Sequence, residues 1–491
     1  MSSERMPNWL HKRATLTPER IALRAEDKAW TFTKLNKRSQ KTAQRFAQLG
    51  VRDGDHVALL VNNSFHTVEI IHALEYLGVI IVLLNTRLTS YELAWQLKDS
   101  GTTYLIYDND HEETVSAIML QNPAIQTVTT KQLLALQGID TPLKYEFDLD
   151  QVHTIIYTSG TTGQPKGVML TYGNHWWSTI GSSLNIGLHI DDCWLLCVPM
   201  FHVSGLSILI RSVIYGITVD LHQFFDPIKV NEAIQHNQVT IISVVSVMLS
   251  QMFSALGDSS YPNTLRCVLL GGGSVPQPLL EQSKKRNIPL FQTYGMTETA
   301  SQIVTLGPDY LISKLGSAGK PLFPSQLKIV KDGKELKAGE VGEIIVKGPN
   351  VTKGYYRNQA EMGKVVKDGW LYTGDLGYLD EDGFLFVLDR RSDLIISGGE
   401  NIYPAEVESV ILKHPAVEDA GVIGRLDEKW GKVPIAFIKL KPGEKVKAEE
   451  LFDFCHRRLA KYKVPVAFNF VNELPRNASN KLLRRKLLDL L

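Results

Sequence analysis

The sequence predicts an α/β fold: a large N-terminal domain of two βα-layered subdomains plus a small β-subdomain, then a small α+β C-terminal domain. Three observations predict it. Apolar β-type runs alternate with helically spaced stretches up to about residue 320, the pattern of largely parallel sheets covered by helices. The texture then changes to short alternating strands between Gly-marked turns. After residue 393 helices and strands mix over the remaining stretch, a normal size for a separate unit. At 491 residues the chain is also too long for one compact core.

The elements follow in order. RIALR and AWTF read as short strands, LNKRSQKTAQRFAQLG as a helix stopped by Gly50, and HVALLV, VIIVLLN, TYLIYD and TIIYTSG as buried strands. A second βα series supplies CWLLCVP, ITVDLH, VTIISVV, RCVLLGGG and PLFQTYG. Two consecutive series imply two subdomains. LKIVKDGKELKAGEVGEIIVKGP reads as antiparallel strands, and GFLFVLDRRSDLIISGG adds two more. The last part reads helix (AEVESVILKHP), strand (DAGVIGR), strand (PIAFIKL), helix (AEELFDFCHRRLAKYK), strand (AFNFVNEL) and a basic helix. The domains divide as 1–390 and 391–491, with a short hinge near Asp389 to Asp393.

Composition narrows the function classes. Lys plus Arg total 53 against 52 Asp plus Glu, so a net charge of +1 exerts no global pull toward nucleic acid or membrane. The basic clusters 284–286 and 484–486 read as solvated helix faces. Four cysteines are too few for a disulfide scaffold and suit a reducing cytosol; Cys193 and Cys197 read as buried thiols, not a metal pair. The N-terminus carries no signal-like apolar run, and 239–253 is too short and Ser-rich to span a bilayer. The expectation is a soluble cytoplasmic protein acting on small molecules, with a homo-oligomer compatible.

The chemistry begins at TSGTTGQPKG (158–167). It follows a strand, its glycines let backbone N–H groups approach an anion, and Thr158, Ser159, Thr161, Thr162 and Lys166 can donate around Gly160. It is not a Walker loop, because Pro165 stands where the second Gly belongs and Gly167 where the Ser or Thr belongs. Taken alone it is only somewhat better read as a phosphate cradle than as a turn-rich surface loop. LLGGGSVP (269–276) lacks the last Gly of a dinucleotide fingerprint; Gly271, Gly272 and Gly273 more plausibly let a flat ring pack on bare backbone. FQTYGMTET ends a strand with Tyr294, Gly295, two threonines and Glu298. Asp375 sits in one turn and Arg390 in another, where a carboxylate can chelate ribose hydroxyls and an arginine can reach phosphate or ribose oxygens.

In this order and spacing, the loop 158–167, FHVSG (201–205), YGMTE (294–298), YTGD (372–375), DRRSDLIISGGENIYPAEVE (389–408) and PRNASNKLLRR (475–485) resemble the acyl-adenylate-forming family, over nearly the whole chain. The resemblance implies a two-step reaction using ATP, Mg²⁺ and coenzyme A: a carboxylate forms an acyl-AMP, then a thiol takes the acyl group. It implies that the loop holds the outer phosphates, Thr297 the α-phosphate, Glu298 the Mg²⁺, Tyr294 the adenine, and Asp375 with Arg390 the ribose. Lys481 would bridge the carboxylate and the α-phosphate, and His202 would belong to the same machinery. The usual Gly before this lysine is Asn480 here, a residue that tolerates φ > 0. The small C-terminal domain would be mobile, rotating about a hinge at Ser392 so that Gly398 and Gly399 line a tunnel for the thiol arm.

For the acid, Ser204, Ser207 and Arg211 recur at helical spacing on one face of an otherwise apolar helix. A charge among apolar neighbours needs a partner, unless it snorkels to solvent. A second, unactivated carboxylate on the substrate would supply one. GNHWWSTIGSSLNIG (173–187), YGMTETASQIVTL (294–306) and KLGSAGKPL (314–322) resemble the branch of the family that activates an aromatic dicarboxylate. Thr299, Ser301, Gln302 and Ser317 join Ser204 as expected polar contacts. Another aryl- or acyl-CoA synthetase of the family is the alternative.

Overall fold

The computed structural model describes residues 4–26, 28–158, 165–272, 275, 277–389, 394–475, 482 and 484–491. Among these residues, two large sheets form the N-terminal part. The first runs Gly354–Tyr355, Lys166–Thr171, Val152–Thr158, Ile80–Leu83, His56–Leu60, Tyr104–Tyr107, Gln126–Thr129. Its last five strands are parallel. They read as continuous apolar runs because helices cover both faces. The second sheet has nine strands and is centred on Ile241–Val245, between Cys267–Gly271 and Cys193–Leu196.

The first hairpin corrects the idea of two consecutive series. Ile21–Ala25 and Lys28–Thr31 precede the first sheet in sequence but join the second, where Leu23 aligns with Val219 in parallel pairing. The two subdomains are therefore interleaved. One core joins them: Val57, Leu59 and Ile81 of the first sheet and Trp194, Leu196 and Val219 of the second pack around helices Phe65–Leu77 and Val203–Tyr215. Local signals end the helices as expected, with Gly50 at φ 96° closing Phe32–Leu49.

The β-subdomain is a six-stranded antiparallel sheet built on Gln326–Lys331, Gly342–Lys347 and Trp370–Leu379. A separate five-stranded sheet, with Val417–Asp427 against Gly431–Leu440 at its heart, carries helices Pro404–Ile411 and Ala448–His456. It has its own core around Ile395, Val407, Ile411, Val422 and Ile438. The α/β class and its parts are as the sequence implied.

Two helix expectations change near the C-terminus. The helix expected through Lys463 stops at His456, and the chain turns through Lys461–Lys463 so that Lys463 faces inward. The final basic stretch is a 3-10 helix, Arg484–Leu490, and Arg484 is not merely solvated: it meets both oxygens of Glu408, at 2.9 and 2.6 Å. No helix of the described residues is long and apolar enough to cross a membrane. All four cysteines are free and buried, and burial pushes each thiol up to about 12, which keeps them protonated near neutral pH.

Candidate active site

The glycine-rich loop joins two antiparallel strands, not a strand and a helix: Thr158 pairs with Lys166 across a hairpin. Ser159, Gly160, Thr161 and Thr162 lie outside the described residues. So do Gly273, Arg390, Ser392 and Lys481. The strand ends on either side of the loop are described. Thr158 and Pro165 line a cavity of about 260 Å³ that the two large sheets and the C-terminal unit enclose together.

Arg211 lines this cavity. Its helix, Val203–Tyr215, is buried along almost its whole length, so the guanidinium cannot snorkel and is 1% exposed. It lies over the Trp194 ring, 5.5 Å from the centroid, and Nη2 donates to Ser178 Oγ at 3.4 Å. Nε has no partner, and among the described residues no carboxylate lies within ion-pairing distance. Burial pulls its pKa down. A buried cation with no counter-ion among the described residues is costly unless an anion meets it.

Around it, Ser204, Ser207, Ser301 and Gln302 also line the cavity, as expected. Gln302 is 2% exposed, and its Oε1 is a buried acceptor with no partner. Thr299 and Ser317 are corrections. Thr299 Oγ1 donates into a tight turn, to Met296 O (3.0 Å) and Ser301 O (2.7 Å), and accepts from Met296 N. Ser317 Oγ donates to Leu385 O at 2.8 Å and accepts from Gly319 N. Both residues are fully buried, and both hydroxyls shape backbone instead of facing the cavity. The turn that Thr299 holds leaves Ser301 at φ 105°, an uncommon conformation for a residue with a side chain.

The expected nucleotide residues form two groups. Tyr294 donates to Asp375 Oδ2 at 2.8 Å. The ring is only 3% exposed, so the open stacking face expected of it is absent in this arrangement, and its visible role is to hold the carboxylate. Gly271, Gly272, Gly295 and Thr297 line the cavity beside Val245. A Cβ on Gly272 would come within 2.9 Å of Val245 Cγ1, which explains the need for bare backbone there.

Glu298 forms the second group. It accepts from Tyr355 Oη at 3.0 Å, and the Lys166 ammonium lies 5.2 Å from the centre of the same ring. Lys166 is also ion-paired to Glu361, whose carboxyl the lysine holds below the usual range. The base of the loop and Glu298, 132 positions apart, therefore meet through Tyr355. Tyr355 and Glu361 gave no sequence signal, because each is an ordinary residue whose partners come from distant strands.

The C-terminal unit closes the cavity with a hairpin turn. Ser397 pairs with Glu400, and Gly398 (φ 57°) and Gly399 (φ 87°) are the two residues between them. Both positive φ values fit the tight two-residue turn that favours glycine. A Cβ on Gly398 would sit 2.8 Å from Trp430, and one on Gly399 3.1 Å from Val245 of the large domain. Glu400 faces His202 Nε2 at 3.2 Å and Arg87 Nη1 at 2.6 Å. Burial pushes the Glu400 carboxyl up, but His202, Arg87 and Lys463 more than offset this and bring it to about 2.

A cavity lined by the buried Arg211 and by the Gly399 turn of a second unit fits the adenylating class that the motifs implied. Comparison with known proteins gives the same class: the AMP-binding enzyme family matches residues 10–356 and the AMP-binding enzyme C-terminal domain matches 406–481, and the chain belongs to this family. It is 57% identical over 482 residues (98% of this chain, 97% of the relative) to the 2-succinylbenzoate–CoA ligase of Geobacillus kaustophilus. It is 50% identical to the o-succinylbenzoate CoA synthetase of Bacillus subtilis, over 99% of both chains, and superposes with a TM-score of 0.95 on a double mutant of that enzyme bound to the product analogue OSB-NCoA. Against the same synthetase in complex with the acyl-adenylate intermediate OSB-AMP the TM-score is 0.78 (99% and 98% of the chains), and with ATP and magnesium ion it is 0.77 (99% and 100%), at the same identity.

Proposed function

We infer that this chain joins 2-succinylbenzoate to coenzyme A, using ATP and releasing AMP and pyrophosphate, in menaquinone biosynthesis. The observation that carries the acid's identity is Arg211, a fully buried cation lining the cavity with no carboxylate partner among the described residues. An aromatic dicarboxylate brings one carboxylate to be activated and one to neutralise Arg211. A monocarboxylic fatty acid leaves the charge unmet.

The residue roles are read on this geometry. The benzoate carboxylate sits on Arg211, within reach of Gln302 and Ser207. The succinyl carboxylate oxygen attacks the α-phosphorus beside Thr297, and the bond to pyrophosphate breaks. Lys481 is assigned the neutralisation of charge between the two reacting groups, and Asp375 with Arg390 the ribose. Glu298 would hold Mg²⁺, an ion that is commonly bound through one or two carboxylates. No group of three candidate ligands exists among the described residues, which fits an ion carried in with the nucleotide. When bound, the ion neutralises the phosphate charge that opposes an anionic nucleophile.

In the second half, the thiol sulfur attacks the acyl carbon and the bond to AMP breaks. The Gly398–Gly399 turn against Val245 suits passage of a narrow arm, and the present arrangement is read as the one for this step. The closer superposition on the product-analogue complex than on the adenylate or ATP complexes of one enzyme supports that reading. The division at 390/391, with rotation of the smaller domain, is part of the same proposal.

The test is ATP–pyrophosphate exchange across a panel of 2-succinylbenzoate, benzoate, succinate and medium-chain fatty acids. Exchange should be confined to the dicarboxylate with the aromatic ring. Arg211→Ala should raise KM for that acid by about 10²-fold or more, the loss of a buried charge-assisted contact, with KM for ATP little changed. Efficient exchange with a fatty acid, or equal effects on both KM values, would instead favour another acyl-CoA synthetase.

A further inference from the structure

We propose that Glu92 is a positioning residue for thioester formation: its carboxylate ties the N-terminus of the helix Ser90–Ser100 to Lys463 of the C-terminal unit. The proposal rests on the two-arrangement reading above. The two oxygens of Glu92 do different work. Oε2 accepts from Thr89 N (2.9 Å) and Thr89 Oγ1 (2.8 Å), closing the capping box that starts the helix. Oε1 accepts from Lys463 Nζ at 2.8 Å, joining residues 371 positions apart.

Lys463 is also bonded within its own unit, to Glu406 Oε1 at 2.7 Å. The three side chains are 6–7% exposed, so water screens little of their interaction, unlike a surface ion pair. Glu406 is the ammonium's partner within its own unit, and Glu92 adds a second carboxylate from across the interface. The contact also borders the cavity, since Glu406 and Lys463 line it together with Glu400 and Gly399. Glu92 thus adds to the hold that Arg87 and His202 exert through Glu400, anchoring the C-terminal unit at a second point. It touches no reacting atom.

A glutamate can serve cap and clamp at once because both its oxygens accept. A glutamine cannot: if its oxygen closes the capping box, its NH₂ faces the Lys463 ammonium, donor against donor. Glu92→Gln therefore separates the two roles. In the full-length enzyme, ATP–pyrophosphate exchange should be unchanged, while thioester formation from supplied acyl-AMP and CoA slows by about tenfold or more. Thermal stability should hold in Glu92→Gln and fall in Glu92→Ala, which loses the cap as well. Lys463→Met should slow the same step and add less in the Glu92→Gln background than alone, as expected for a direct pair.

An unchanged second half in Glu92→Gln, or equal losses in both halves, overturns the proposal. Lys481→Ala, run alongside, should lose acyl-AMP formation and keep thioester formation. If it loses both, the two-arrangement reading fails, whatever Glu92 does.

Discussion

The role proposed for Arg211 has a stability consequence. A guanidinium that is 1% exposed and, among the described residues, lacks a carboxylate should be destabilising until an anion arrives. Arg211→Met keeps the length and removes the charge, so the ligand-free protein should gain about 1–4 kcal/mol in urea unfolding. Added 2-succinylbenzoate should then stabilise the natural protein and leave the variant unmoved. A variant less stable than the parent would mean that Arg211 is held by packing and its contact with Ser178, not reserved for substrate. Arg211 was legible in sequence because a lone charge in an apolar helix stands out. Thr299 and Ser317 were misread for the opposite reason: small hydroxyls near a motif look alike, and whether one faces a cavity or a neighbouring carbonyl depends on strands folded elsewhere. Glu92 and Lys463 gave no signal at all, since their meaning exists only across the interface.

At the scale of elements, the hairpin Ile395–Ser397/Glu400–Ile402 is the clearest link between local rule and function. The resemblance implied two glycines beside the thiol arm, and the structure sets both in a tight turn: one against Trp430 of its own unit, the other against Val245 of the large domain. Substitutions should therefore part company. Gly398→Ala forces a Cβ to 2.8 Å from Trp430 and should destabilise the C-terminal unit itself, by about 1–3 kcal/mol of local strain. Gly399→Val should leave ATP–pyrophosphate exchange intact and slow thioester formation, because its bulk meets Val245 only when the units are docked. Slowing of both steps by Gly399→Val would show that the turn matters to folding and not to docking. Strand and helix identities were largely readable from apolar runs and caps. Sheet membership was not: the hairpin Ile21–Ala25/Lys28–Thr31 carries the same local signals whichever sheet it joins, and parallel pairing with Thr218–Leu221 is settled by the shared core. Helix length failed at His456, where apolar spacing continues but the turn that brings Lys463 to Glu406 and Glu92 overrides it.

For the whole molecule, buried histidines shape the acid side of its stability. His175 is fully buried, with Nε2 3.2 Å from Thr154 Oγ1. Burial holds its pKa well below 6.5, and His153 and Arg211 push the same way against the opposing pull of Glu75. His56 and His111 are also lowered by burial. A histidine whose folded pKa is depressed is neutral in the native state and protonated in the unfolded one below about pH 6.5. The unfolded state then binds more protons, so stability rises with pH through that window and is lost as pH falls below it, by up to about 1.4 kcal/mol per pH unit for each such group. Glu75, between His72 and His153, acts lower down: burial pushes its carboxyl up, the two histidines more than offset this, and the result of about 2 means that its contribution is lost only between about pH 4.5 and 2. Urea midpoints of the ligand-free protein should therefore be flat above pH 7 and fall steadily from pH 6.5 to 5, before the Glu75 contribution is lost. Replacing His175 with Asn should shallow that slope at the cost of some stability at pH 7.5. A midpoint that stays level to pH 5 would show that these histidines are already charged in the folded protein, and their surroundings would then have to tolerate charge that burial argues against.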